Sequence, residues 1–151
     1  MIRRATFAVL IAALVLALAA GCVSRVAPHD AVIAAGLADL QSSNSRFFDE
    51  LLRTAGTPDA EWECHIVWYE ETLAEIAALR TRAQSHGRKS DPTVEALELL
   101  QRSVAELEEA HAEGLSAGEI PVLRTLFDSQ LRMLIELEAA KKRTAPAEVS
   151  P

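Results

Sequence analysis

Between residues 30 and 143, apolar side chains return every three or four positions, in four runs separated by helix-breaking punctuation. The first run carries Ile33, Leu37, Leu40, Asn44, Phe47 and Leu51. The second carries Trp62, Ile66, Tyr69, Leu73 and Ile76, broadened by Trp68 and Leu79. Leu97, Leu100, Val104 and Leu107 form the third, and Leu123, Phe127, Gln130, Leu134 and Leu137 the fourth. Steps alternating between three and four place each set on one side of an α-helix, and such helices must bury that side against partners. The alternation in twos that marks a strand is missing.

The punctuation supplies the boundaries. A first helix runs from about Asp30 to Ala55 and stops at Gly56, a natural residue just beyond a helix end. Thr57 as N-cap and Pro58 at the first position open a second, running to about His86. Asp91-Pro92 repeats that signal for a third helix, which ends at Gly114. Ser116 and Glu119 then form a capping box, with Leu115 and Ile120 as hydrophobic staple. Pro121 should kink or delay the fourth helix, which continues to about Arg143. Short loops between long helices favour antiparallel neighbours. The expectation is an all-α, antiparallel up-down four-helix bundle with coiled-coil-like packing, about 40 Å long at 1.5 Å per residue. The alternative is a three-helix bundle with a separately docked first helix.

The residues before the bundle have a different character. Arg3 and Arg4 precede an uncharged run from Ala5 to Gly21. That run is short for a helix crossing ~30 Å of hydrocarbon, which takes about 20 apolar residues. A charged start, an apolar middle and a small-residue end describe an export signal. Ala17-Leu18-Ala19 fits an ordinary A-x-A cleavage site and a secreted product, and an uncleaved anchor is a further reading.

The stretch Leu18-Ala19-Ala20-Gly21-Cys22 resembles the lipobox of bacterial lipoprotein precursors. The resemblance implies a signal peptide over residues 1–21, a diacylglyceryl thioether on Cys22 and acylation (palmitate-like) of the new amino terminus. Residues 22–29 would then be a lipidated tether, 30–143 the bundle domain and 144–151 a disordered tail. Val23 stands where Asp would favour retention at the inner membrane, so the expected location is the outer membrane, facing the periplasm. One acyl chain holds a protein only marginally, whereas two or three on one cysteine anchor it firmly.

Removing Arg3 and Arg4 from the 15 basic residues leaves 13 against 22 acids, a net charge of −9. That balance argues against nucleic acid, which is bound through basic patches. It argues equally against adhesion to anionic lipid heads, leaving the lipid anchor as the contact with the membrane. With Cys22 lipidated, Cys64 is the sole remaining cysteine, so no intramolecular disulfide forms. Cys64 reads as a small flank residue of the second helix, and an intermolecular disulfide, and with it a homo-oligomer, is the alternative.

Asn44, Tyr69, Gln101 and Gln130 fall at similar heights along the expected bundle and suggest a mid-bundle polar layer. Such a layer either fixes helix register or frames a small hydrated pocket. His65 and His111 lie near one end of the core, each a turn after an acid, Glu61 and Glu108. Glu108-Glu109-Ala110-His111 has the Glu-x-x-His spacing of carboxylate-bridged di-iron bundles, but Glu61 and His65 are four apart and no second pair completes the set. A mononuclear zinc or copper site from these four residues is the metal reading. The plain reading is that both histidines cap the core, half wet and hydrogen-bonded. No Gly-rich phosphate loop occurs, and Cys64 and His65 diverge by ~100° on a helix, so no thiolate–imidazole pair is ready-made.

Two classes of function follow. The first is a non-enzymatic envelope lipoprotein whose bundle binds an envelope protein partner as an adaptor or accessory module, without a cofactor. The second is a metal-binding or metal-buffering periplasmic bundle. Acids in Glu61-Trp62-Glu63, at 70–71 and at 108–109 form a solvated face that also suits a basic partner surface.

Overall fold

The computed structural model describes residues 28–86 and 92–144. The expected signal peptide over residues 1–21, the expected lipidation site at Cys22 and residues 145–151 lie outside the described residues. Four helices, α1 Ala31–Thr54, α2 Ile66–Ser85, α3 Pro92–Glu113 and α4 Ile120–Thr144, form an all-α bundle with no strand among the described residues. Cross-helix contacts show each neighbour running the opposite way. Asp30 at the start of α1 meets Glu138 near the end of α4, and Asp49 late in α1 pairs with Arg124 early in α4. Tyr69 early in α2 likewise meets His111 at the end of α3. α1 packs most extensively on α4 and α2 on α3, and the α3–α4 and α1–α2 faces close the ring. The first helix is thus integral rather than separately docked: Leu37 and Phe48 on α1 are fully buried.

The apolar rhythm maps onto the core unevenly. All six seam residues of α1 and all four of α3 are buried. On α2 the buried line is Tyr69, Thr72, Ile76, Leu79 and Ala83, so Ile66 and Leu73 sit at its flank. On α4 it is Ile120, Phe127, Leu131, Leu134, Glu138 and Lys141, with Leu123, Gln130 and Leu137 half-buried. The 3.6-residue turn drifts about 20° per heptad, so over long helices a strict seven-residue reading slides off the buried face.

The second helix also starts later than its Thr57-Pro58 signal suggests. Pro58–Ala60 and Trp62–Cys64 are two short 3-10 turns, separated by Glu61 in extended conformation. The carbonyls of Asp59 and Ala60 accept from imidazole nitrogens of His65 and His111, at 3.1 and 2.8 Å. Side chains therefore hold the oxygens that a continuous helix would use for its own ladder. At α4 the delay expected from Pro121 is present: the helix begins at Ile120, with proline where no N–H is needed. The Glu119 carboxylate accepts from the Ser116 hydroxyl and amide at 2.6 and 2.8 Å. One tight crossing went unanticipated. A Cβ on Gly36 of α1 would lie 2.7 Å from Leu79 Cδ2 and 2.9 Å from Glu75 Oε1, so α2 approaches closely where glycine has no side chain.

Where the chain enters α1, a buried ionic network joins all four helices. Glu138 and Lys141 on α4 are 1% and 4% exposed. Lys141 Nζ donates to Glu138 Oε1 at 2.7 Å and to Thr93 Oγ1 of α3 at 2.6 Å, while Thr93 donates to Glu138 Oε1 at 3.0 Å. His29 Nδ1 donates to the Glu138 carbonyl at 3.2 Å. Asp30 caps α1 by accepting from the amides of Val32 and Ile33, and its other oxygen accepts from Arg82 Nε at 2.7 Å and His86 Nε2 at 3.0 Å on the α2 side.

Removing one member of a buried pair leaves an uncompensated charge, typically costing about 3–5 kcal/mol. Lys141→Met should show a loss of that order in urea unfolding, and adding Glu138→Leu should recover most of it. For Asp30, burial works to raise the carboxyl, but the Arg82 guanidinium, the two amides and His86 outweigh it, holding the pKa at about 2 against 3.8. A carboxyl held low when folded contributes stability above about pH 4 that is lost as pH falls towards 2. Asp30→Asn keeps a capping side chain but should remove roughly 2 kcal/mol at neutral pH and flatten the acid limb. Urea titrations across that range check it.

Candidate functional site

At the opposite end, Gly56 ends α1 and Gly114 ends α3, with φ of +79° and +109°. These left-handed conformations suit glycine, whose missing Cβ removes the steric penalty. The turns they make flank an open cleft of about 620 Å³, lined by residues 56–58, 60–63 and 111–115. Glu61, Glu63 and Glu113 contribute three exposed carboxylates, and no lysine or arginine lines the cleft. Trp62 forms part of the wall, its indole Nε1 buried with no hydrogen-bond partner among the described residues. Asp59, Glu109 and Glu119 are exposed on the same end of the bundle, whereas Arg53 and Arg124 there are engaged by Glu50 and Asp49. A concave, single-signed surface over a low-dielectric core focuses its field outward and attracts cations.

The floor of the cleft is set by a buried polar chain. His111, 3% exposed, uses both ring nitrogens. The Ala60 carbonyl can only accept, so Nε2 carries a proton and donates at 2.8 Å. Burial lowers the His111 pKa, opposed by the Ala60 hydrogen bond, lowered further by His65 and raised by Glu63. The ring is therefore neutral near pH 7, and its bare Nδ1 accepts from the Tyr69 hydroxyl at 2.8 Å. Burial, and then Glu108, push the Tyr69 hydroxyl up, so it stays a donor. Beside it, Phe47 stacks on Trp68 with centroids 3.6 Å apart and planes within 5°, and Trp68 Nε1 donates to Ser43 at 3.1 Å. Of these contacts, the His111–Ala60 hydrogen bond ties the Pro58–Cys64 segment to α3, while the Phe47–Trp68 and Trp68–Ser43 pairs join α1 to α2.

The four residues of the metal reading are only partly brought together. His65 and His111 rings lie 5.5 Å apart, but His65 Nε2 is committed to the Asp59 carbonyl and His111 has no free nitrogen. Glu61 is exposed on the cleft, and Glu108 is half-buried on α3. Among the described residues no group of three or more His, Cys, Asp or Glu side chains could hold a metal ion. A zinc or copper centre at His65, His111, Glu61 and Glu108 therefore lacks the geometry it needs. The Cys64 thiol is exposed and faces the Pro58 carbonyl, 3.7 Å away, rather than an imidazole.

Nor do Asn44, Tyr69, Gln101 and Gln130 make one layer; each pairs elsewhere. Asn44 Nδ2 donates to Asp128 at 3.1 Å, Arg80 donates to Gln101 at 2.9 Å, and Gln130 donates to Ser103 at 2.9 Å. Tyr69 belongs to the His111 chain. Four separate cross-links, spread over the α1–α4, α2–α3 and α3–α4 interfaces, replace the expected plane. The sequence reading missed the cleft itself: the Thr57-Pro58 start and the helical spacing of Trp62 and Ile66 concealed the break at Glu61. The positions of Gly56 and Gly114 were the signal for its two turns. Compared with known proteins, the chain matches no family model, no curated protein and no solved structure.

A buried imidazole whose pKa is lowered takes up its proton less readily folded than unfolded. Stability is complete above the ordinary value of 6.5 and declines as pH falls from there towards the folded value. Urea unfolding between pH 7 and 5 should show this decline in the wild type and lose the component in His111→Phe. Tyr69→Phe leaves Nδ1 buried and unpaired and should cost about 1–3 kcal/mol at pH 7.

Proposed function

We propose that this chain is a lipid-anchored cell-envelope protein whose bundle holds a basic segment of an envelope protein partner, acting as a non-enzymatic adaptor or accessory module. The observation that carries the reading is the acidic cleft, with three carboxylates and no lysine or arginine, at the end of the bundle farthest from where the chain enters α1. A lipid on Cys22 would put the membrane at the entry end and leave the cleft facing outward. No described helix is long and apolar enough to cross a membrane. Among the described residues no three acids, histidines or cysteines converge as a bare ion needs, so an extended basic peptide suits the cleft better. The location expected from Val23 is the outer membrane, on its periplasmic side.

Native mass spectrometry of the full-length protein, extracted gently from its own membranes, tests both parts. The expected result is diacylglycerol and acyl mass on Cys22, with a partner protein bound in fixed proportion. Exchanging Glu61, Glu63 and Glu113 together for lysine should weaken partner binding about tenfold or more, equivalent to 1.4 kcal/mol or more. Unchanged partner binding in that folded variant overturns the cleft reading, and an unmodified Cys22 overturns the anchor.

A further inference from the structure

The bundle is electrically polarised along its length. The cleft end carries the unpaired acids described above, while the end where the chain enters exposes Arg82, Lys142 and Arg143. Asp30 and Glu138 at that end are buried and paired, Asp30 with Arg82 itself, so among the described residues Lys142 and Arg143 are the exposed bases without an acid partner there, against the exposed Glu95 in the first turn of α3. Val32, in the first turn of α1 at the same end, is 52% exposed. Five residues, 23–27, separate Cys22 from the start of the described chain at residue 28, at most ~20 Å when extended. The basic end is therefore the part of the bundle that a membrane anchored at Cys22 would meet.

From this we infer that Arg82, Lys142 and Arg143 dock on anionic phospholipid headgroups, standing the bundle upright with its cleft facing away. The inference rests on the membrane-anchored reading above. Net negative charge alone predicts repulsion from such a surface, as the composition suggests, but its distribution reverses the outcome near the anchor. Fields at a membrane surface fade within about 8–10 Å at physiological salt. In the upright pose only the basic end lies inside that layer, because the 24 residues of α1 carry the cleft ~36 Å further out. Lying flat brings the acids of the far end into the layer, where they are repelled. The long stems of Lys142 and Arg143 let their charges reach phosphate while Val32 meets the interface.

Cys64, exposed at the cleft end, is a natural labelling position once Cys22 is acylated. The full-length protein, labelled there with a fluorophore, is reconstituted into vesicles carrying a headgroup acceptor. One vesicle set is phosphatidylcholine alone, and the other is phosphatidylcholine mixed with phosphatidylglycerol. Energy transfer should be lower on the anionic vesicles, because the label is held far from the surface. High salt should abolish that difference, as should Lys142→Glu with Arg143→Glu, two exposed positions whose change leaves the thermal melt intact. Lys142→Gln with Arg143→Gln should reduce it. Equal transfer on the two vesicle types, or a difference that survives the double reversal, overturns the docking. Protein that fails to float with neutral vesicles overturns the anchor, and the docking with it.

Discussion

The bundle hangs on a buried ion pair. Glu138 and Lys141 sit one turn apart on α4, almost without solvent, and through Thr93 and the backbone at Asp30 they tie α3 and α1 to that turn. Asp30 extends the tie to α2 through Arg82 and His86. Such groups tolerate little play, since each charge is stable inside only while its partners stay within hydrogen-bond reach. The network thereby fixes the relative height of four helices whose apolar faces alone would allow some sliding. It also fixes the corner at which the chain enters α1.

The opposite end is organised by different means. There the chain gives up a helical turn, and two imidazoles accept the work of satisfying the freed carbonyls of Asp59 and Ala60. The gain is a concave surface that an uninterrupted helix could not make. One end is closed by charges turned inward; the other is opened, with charges turned outward. That contrast gives the molecule a long-range electrical direction that neither its composition nor its helix count contains.

Most of the fold was legible in the sequence because helix-forming rules are local. Apolar spacing marked α1 and α3 down to individual core residues, and Gly56, Gly114 and Pro121 marked ends or starts. What failed was non-local. Nothing in the local sequence distinguishes Glu138 and Lys141 from surface charges near a helix end, and only the convergence of Thr93 and the start of α1 makes them interior. The imidazole–carbonyl contacts that break the second helix link residues 51 positions apart in the case of His111 and Ala60. Gly36 gave no local hint of a close helix crossing. The polar residues Asn44, Gln101 and Gln130 were rightly singled out as unusual, but pairing depends on side-chain direction, which height along a helix does not supply.

Two tryptophans sit in unlike settings, and this makes the chain its own optical instrument. Trp68 is stacked on Phe47 and hydrogen-bonded to Ser43, so its emission follows the integrity of the α1–α2 interface. Trp62 lines the cleft on a segment held by imidazoles rather than by a helical ladder, so its emission follows what enters there. Replacing either one with phenylalanine leaves a single intrinsic reporter. Occupancy at the open end and loosening of the packed core can then be followed separately in the same molecule, without attached dyes.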